Sequence, residues 1–204
     1  MDFSLSEEQQ LFRESTRRFL REQCHSKTLR ELESSDTGFS GALWNDMAAQ
    51  GWTGIIVPER HGGSGLGLLE LGVLLEEIGR AAFDSPFSAN LMVTLAILGS
   101  GSGPRTQQLL SEIAGGGVIV APAIEELGVS YEPRFVTVRA ERSADAFILS
   151  GSKMFVPYAD VVDHLLVLAR TQGSIGDEGG CSLLLVDRRS PGIRMTRLDT
   201  IAPD

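Results

Sequence analysis

Apolar residues recur with the period of an α-helix through the first 114 residues of the chain. The first predicted helix begins after Ser6, which stands three residues before Gln9 in the spacing of a capping box. Its inward stripe consists of Phe12, Thr16, Phe19 and Leu20. Four more helices are predicted, over residues 41–50, 68–80, 87–98 and 104–114. Pro104 suits the first turn of the last helix, and the glycine run at 115–117 ends it.

The helix over residues 68–80 is amphipathic, with Leu71, Leu74, Leu75 and Ile78 on its apolar side. Its acidic residues Glu70, Glu76 and Glu77 are predicted on the outer, polar side. The helix over residues 87–98 is apolar nearly all round, which is typical of a helix buried on several sides. The first part of the chain therefore reads as a helical bundle.

After the glycine run, the pattern changes to short segments with the composition of β-strands. Strands are predicted at residues 118–120, 135–138, 146–149, 165–168 and 183–186, with a further one at 192–198. The predicted fold class is α+β: an N-terminal helical bundle (residues 1–115) followed by a mainly antiparallel, β-barrel-like domain (residues 116–204). Five or six strands without closure leave a bare sheet edge, so the β domain is predicted to be incomplete at its C-terminus.

Composition narrows the class of protein. The 204 residues are 42% apolar and 22% charged, and this argues against disorder. The net charge of −9 disfavours nucleic acid as a partner. The pair Cys24 and Cys181 gives no disulfide framework, which favours a reducing, cytoplasmic location, and no metal-ligand spacing, secretory signal or membrane span is found.

A glycine-rich loop at residues 62–67 precedes the helix over residues 68–80 and has the outline of a nucleotide-binding loop. The spacing fails, because Leu68 and Glu70 occupy the third glycine position in the two possible readings. The loop is not followed by the lysine and the serine or threonine that a phosphate-gripping loop requires. The loop is therefore interpreted as a connector.

The segment Gly51–Gly65 reads G-W-T-G-I-I-V-P-E-R-H-G-G-S-G, and Glu76–Arg80 reads E-E-I-G-R. Together with the opening Leu5–Leu11, they resemble the acyl-CoA dehydrogenase family. The resemblance follows the whole chain in order but covers only the first two of the family's three domains, the helical N-terminal one and the middle β domain. The C-terminal four-helix domain is missing from these residues.

The resemblance implies FAD as cofactor and two flavin-side segments. In the first, Ala121–Tyr131, Glu125 and Ser130 stand at the family's acidic and hydroxyl positions, and Ile124 replaces a threonine. The backbone of Ala123, Ile124 and Glu125 is expected at the flavin's pyrimidine edge. Ser130 is expected to reach the FAD pyrophosphate or the CoA part of the substrate; the alternative is a turn serine bonded to its own backbone.

The second segment, Gly151–Tyr158, carries Phe155 at a tryptophan position, then Val156, and Pro157 in place of another threonine. The resemblance implies that these three residues contact the cofactor. The alternative for Phe155 is ordinary core packing of a strand aromatic. Lys153 is expected to be a solvated turn lysine.

Members of the family oxidise an acyl-CoA to a 2-enoyl-CoA, with a carboxylate base removing the α proton and the flavin accepting the hydride. That base belongs to the third domain, so no catalytic residue is named in this chain. The resemblance further implies an acyl-CoA substrate, electron-transfer flavoprotein as acceptor, and a homo- or hetero-oligomer. Two alternatives stay open: a non-catalytic partner subunit of a heteromeric acyl-CoA dehydrogenase, and a scaffold that binds a thioester or a protein without redox activity.

Overall fold

The computed structural model describes residues 4–100, 103–128, 130 and 132–198. These residues divide between Val118 and Ile119 into two compact units, the first helical and the second built around a β-sheet. The predicted α+β class, with helices first and a mainly antiparallel sheet second, is confirmed.

The helical unit contains all five predicted helices and one more. The predicted capping box is formed, because the Ser6 hydroxyl accepts from the Gln9 amide and the Gln9 side chain accepts from the Ser6 amide. The additional helix, α2, is capped by the His25 ring and has no buried residue. Its eight residues include only two large apolar side chains, Leu29 and Leu32, which are too few to establish a helical period in the sequence. The helices are α1 Glu7–Gln23, α2 Ser26–Glu33, α3 Gly41–Ala49, α4 Leu68–Arg80, α5 Phe87–Gly99 and α6 Pro104–Ala114.

The core of the helical unit forms where the predicted apolar stripes meet. Met47 of α3 and Leu74 of α4 are fully buried, and the Phe19 and Trp52 rings pack edge to face with centroids 4.9 Å apart. In α5, Val93 is buried, whereas Met92 and Leu95 are exposed. The helix was predicted to be buried on several sides, but among the described residues its side that carries Met92 and Leu95 is exposed.

Two polar contacts join α1 to α4. Gln9 donates to Glu70 at 2.8 Å, and the Arg17 guanidinium donates to both Glu77 carboxylate oxygens at 2.8 and 2.6 Å. The Glu77 side chain is 1% exposed, so its predicted place on the outer side of the helix is wrong. The position faces α1, and Arg17 supplies the counter-charge that allows a carboxylate to be buried there.

The β unit is organised around one central strand, β4. It pairs in parallel with β1, antiparallel with β5 over its whole length, and at Arg170 in parallel with β2, which forms an antiparallel hairpin with β3. Its near-continuous apolar run matches this central position. The strands are β1 Val120–Ala123, β2 Arg139–Ser143, β3 Ala146–Ser150, β4 His164–Arg170 and β5 Cys181–Asp187.

Two predicted strands are wrong. The segment at 135–138 ends a 3-10 helix, Pro133–Phe135, and β2 starts only at Arg139, because Pro133 fixes its own φ and brings no amide to a ladder. The segment at 192–198 forms no ladder with any described residue. In the part of the chain that the structure describes, no helix is long and apolar enough to cross a membrane.

Candidate functional site

The structure brings the two predicted flavin-side segments together. We call residues 123–126 segment I and residues 153–157 segment II. Segment I begins at Ala123, the last residue of β1, and segment II lies in the connection between β3 and β4. The Met154 amide donates to the Glu125 carbonyl at 2.9 Å, which fixes the two backbones side by side.

A buried ion pair joins the same segments. The Lys153 ammonium donates to Glu126 Oε1 at 2.6 Å and to the Ile124 carbonyl at 2.9 Å. The side chains of Lys153 and Glu126 are 8% and 4% exposed, so the expectation of a solvated turn lysine is wrong. The buried carboxylate is that of Glu126, whereas the resemblance placed the family's acidic position at Glu125. The sequence analysis did not predict this pair. The signal that was available is the presence of a lysine in one motif segment and of a glutamate in the other.

Glu126 has three more donors, all from the segment that leads into β2. The Thr137 amide donates to Oε2 at 2.8 Å, the Thr137 hydroxyl donates to the same oxygen, and the Val138 amide donates to Oε1 at 3.2 Å. Burial alone would raise the pKa of Glu126, but the hydrogen bonds from Lys153 and Thr137 outweigh it and leave that pKa below its usual value. Glu126 is therefore an ionised, saturated acceptor, which suits a structural role rather than that of a proton acceptor.

Phe155 stands out in segment II. It lies outside any strand, the residue is 58% exposed, and its φ of +51° is left-handed. A bulky residue in this backbone region is strained, and such strain concentrates at functional sites. The alternative of a core-packed strand aromatic is therefore wrong, and Phe155 presents its ring to the outside of the described unit.

Met154, Val156 and Pro157 of segment II are half-buried. Pro157 begins a turn that leads toward β4, in which the Val161 amide donates to the Tyr158 carbonyl at 2.9 Å. The backbone amides of Phe155 and Val156 donate to no acceptor within the described stretches of chain. A planar apolar ring with carbonyl and nitrogen acceptors along one edge, such as a flavin, fits this combination of exposed aromatic and available donors. Pro157 adds neither an amide proton nor a hydroxyl.

Ser130 lies apart from this arrangement. It is exposed, and its hydroxyl oxygen accepts from the Glu132 amide at 3.4 Å. This is the local turn contact of the alternative interpretation. Among the described residues, the Ser130 hydroxyl proton has no acceptor. Val129 and Tyr131, on either side, are outside the described residues.

The glycine-rich loop of the helical unit is a connector, as predicted. Its amides are used by the loop itself: Ser64 donates to the Gly54 carbonyl, Gly65 to Val57 and Leu66 to Ile55, at 2.8–2.9 Å. A loop that satisfies its own donors has none to offer a phosphate.

Comparison with known proteins identifies the two units. Residues 6–117 match the profile of the acyl-CoA dehydrogenase N-terminal domain, and residues 121–202 match that of the acyl-CoA dehydrogenase middle domain. The acyl-CoA dehydrogenase FadE28 of Mycobacterium tuberculosis is 33% identical over 161 residues, which cover 77% of this chain and 42% of FadE28.

Two solved structures share the fold. The ChsE4–ChsE5 complex from Mycobacterium tuberculosis matches with a TM-score of 0.82 and 26% identity, over 98% of this chain and 52% of that one. The FAD complex of PigA matches with a TM-score of 0.79 and 26% identity, over 94% of this chain and 51% of that one. The proteins that this chain matches therefore confirm the predicted cofactor, FAD. This chain spans about half the length of the proteins it matches.

Proposed function

Because the chain belongs to the acyl-CoA dehydrogenase family, we propose that it is part of an FAD-dependent enzyme that oxidises an acyl-CoA thioester to a 2-enoyl-CoA. The observation that carries the proposal is that segments I and II lie side by side. Next to the bond that joins them, Phe155 is exposed and has a left-handed backbone. When bound, the flavin supplies the redox chemistry by accepting a hydride.

The proposal gives each residue of the junction a task. Phe155 packs its ring beside the flavin, and the amides of Phe155 and Val156 donate to acceptors on its edge. Ser130 donates its hydroxyl to the pyrophosphate of FAD or to the CoA part of the substrate. The other proposed cofactor contacts are Ala123, Ile124, Glu125 and Pro157.

The base that removes the α proton is proposed to come from outside these 204 residues. The two most deeply buried carboxylates described, Glu77 and Glu126, are each held by a basic side chain and have a lowered pKa. In both cases hydrogen bonds outweigh burial, which favours the ionised form of an acceptor that is already occupied. Neither is a candidate base.

The partners and location are proposals as well. We propose electron-transfer flavoprotein as the electron acceptor and an oligomeric enzyme. The free thiols of Cys24 and Cys181 fit a reducing, cytoplasmic compartment.

The primary test is titration of the purified apoprotein with FAD, followed by flavin fluorescence and by dye reduction with a panel of acyl-CoA thioesters. Saturable FAD binding with acyl-CoA-dependent dye reduction supports the proposal. If FAD does not bind under any pairing of subunits, the proposal is wrong.

Phe155→Ala is expected to weaken FAD binding about three- to tenfold, because it removes the ring surface that packs beside the flavin. The measurement is the Kd for FAD from fluorescence titration. Phe147→Ala is the matched control, since Phe147 is an exposed aromatic on β3 outside both segments. Equal losses in the two variants would remove Phe155 from the site.

A second candidate function is a partner subunit without its own chemistry. Ile124 and Pro157 stand where the family has threonines, so two hydroxyls are lost at the flavin edge. One matched structure is itself a complex of two named chains. A protein that is colourless alone and takes up FAD only together with a second acyl-CoA dehydrogenase chain would favour this candidate.

A further inference from the structure

We infer that Lys153 is a positioning residue of the flavin site, which holds segments I and II in register through its bonds to Glu126 and to the Ile124 carbonyl. The inference rests on the proposed function, since it concerns the same site. It gives a task to a lysine whose ammonium is bound by two acceptors of segment I.

The argument starts from the two acceptors of a single ammonium. Lys153 belongs to segment II, and both of its acceptors, the Ile124 carbonyl and the Glu126 carboxylate, belong to segment I. Apart from Ala123, the last residue of β1, both segments are irregular chain, and no ladder joins them among the described residues. Among the described residues, the Met154 amide bond and these two contacts are the hydrogen bonds that join the two segments.

Glu126 carries the connection onward to the sheet. It accepts from the Thr137 and Val138 amides, and the Val138 carbonyl accepts from the Arg170 amide at the end of β4. Gly151 approaches the same place so closely that an added Cβ would lie 2.8 Å from Val138 Cγ2. The position of segment II is thus fixed to the central strand through Glu126.

The consequence for the site lies two residues beyond Lys153. Phe155 is held in a left-handed conformation that its neighbours must enforce, because a free phenylalanine seldom adopts it. Without the ammonium, the Glu126 carboxylate stays buried with one charge uncompensated, and segment I must shift to hydrate it. Phe155 and the adjacent amides then lose their placement toward the ring.

The experiment compares Lys153→Met with Arg17→Met in the intact protein. Arg17 is the matched control, because it too pairs with a buried carboxylate, that of Glu77, but in the helical unit. Both variants are expected to lower the Tm. Only Lys153→Met is expected to raise the Kd for FAD tenfold or more and to alter the fine structure of the flavin absorption bands. Lys153→Arg, which keeps the positive charge, is expected to recover part of the affinity.

The outcomes separate the two proposals. A wild-type protein that binds FAD, with Lys153→Met equal to it in Kd and spectrum, overturns the positioning role and leaves the proposed function standing. The same holds if Arg17→Met weakens FAD binding as much as Lys153→Met, since the loss then reflects general stability. A wild-type protein that binds no FAD overturns the proposed function, and the positioning role with it.

Discussion

Replacing Gly63 by alanine is expected to destabilise the helical unit by about 3 kcal/mol, through overpacking alone. A Cβ at this position would lie 2.1 Å from the Val57 carbonyl oxygen and 2.6 Å from the Gly54 carbonyl oxygen. Both atoms belong to backbone that already binds the loop, since Val57 accepts from Gly65 and Gly54 accepts from Ser64. The clash can be relieved only by opening those contacts.

The chain offers a control of opposite sign. Gly72 lies in the interior of α4 with nothing within 4 Å of an added Cβ. Gly72→Ala is therefore expected to stabilise the protein by about 0.5–1 kcal/mol, by removing backbone freedom from the unfolded chain. Urea denaturation followed by tryptophan fluorescence measures both variants, because the two tryptophans of the chain, Trp44 and Trp52, are buried in the helical unit.

This comparison also tests the role of the glycine loop. If the loop is a connector, Gly63→Ala lowers stability, and any effect on FAD binding follows the loss of folded protein. A Gly63→Ala variant with normal stability but weakened nucleotide binding would contradict the connector role and would indicate that the loop binds a phosphate.

Local signals in the sequence were sufficient for five of the six α-helices that the structure describes. The capping box at Ser6 and the apolar stripe through Thr16 and Leu20 are properties of adjacent turns, and they give α1 without tertiary information. The family resemblance likewise predicted that residues 123–125 and 155–157 approach the same cofactor, and the structure brings these two segments side by side through the bond from the Met154 amide to the Glu125 carbonyl.

Partners distant in the chain were not predictable in this way. Lys153 and Glu77 were both assigned to solvent, because a charged residue read alone is most often exposed. Each is buried because it pairs with an opposite charge that is distant in the sequence. Glu126 lies 27 residues from Lys153, and Arg17 lies 60 residues from Glu77. The strand predicted at 135–138 failed for a related reason: its β propensity was real, but Pro133 and the bonds to Glu126 determine the local backbone.

Glu77→Gln is expected to destabilise the helical unit by about 3 kcal/mol at pH 7, because it removes one partner of a buried ion pair. The Glu77 carboxylate accepts two hydrogen bonds from Arg17 and lies 3.5 Å from Arg80 Nε, with 1% of the side chain exposed. Glu76→Gln is the matched control on the neighbouring position. Glu76 pairs with Arg80 at 2.8 Å but is 61% exposed, so its loss is expected to be below about 0.5 kcal/mol.

The pH dependence gives this prediction a second, independent readout. The hydrogen bonds from Arg17 hold the pKa of Glu77 below its ordinary value despite burial. A carboxyl group whose pKa is lower in the folded state stabilises the protein fully above its unfolded pKa, about 4.3, and loses that contribution as the pH falls through the folded value. The stability difference between wild type and Glu77→Gln is therefore expected to be largest near pH 7 and to shrink below about pH 4. Tryptophan fluorescence reports on the unit that contains Glu77, because Trp44 and Trp52 are buried there, whereas Glu126 lies in the β unit. A difference that stays constant down to pH 3, or one that Glu76→Gln reproduces, would contradict the assignment of the buried charge to Glu77.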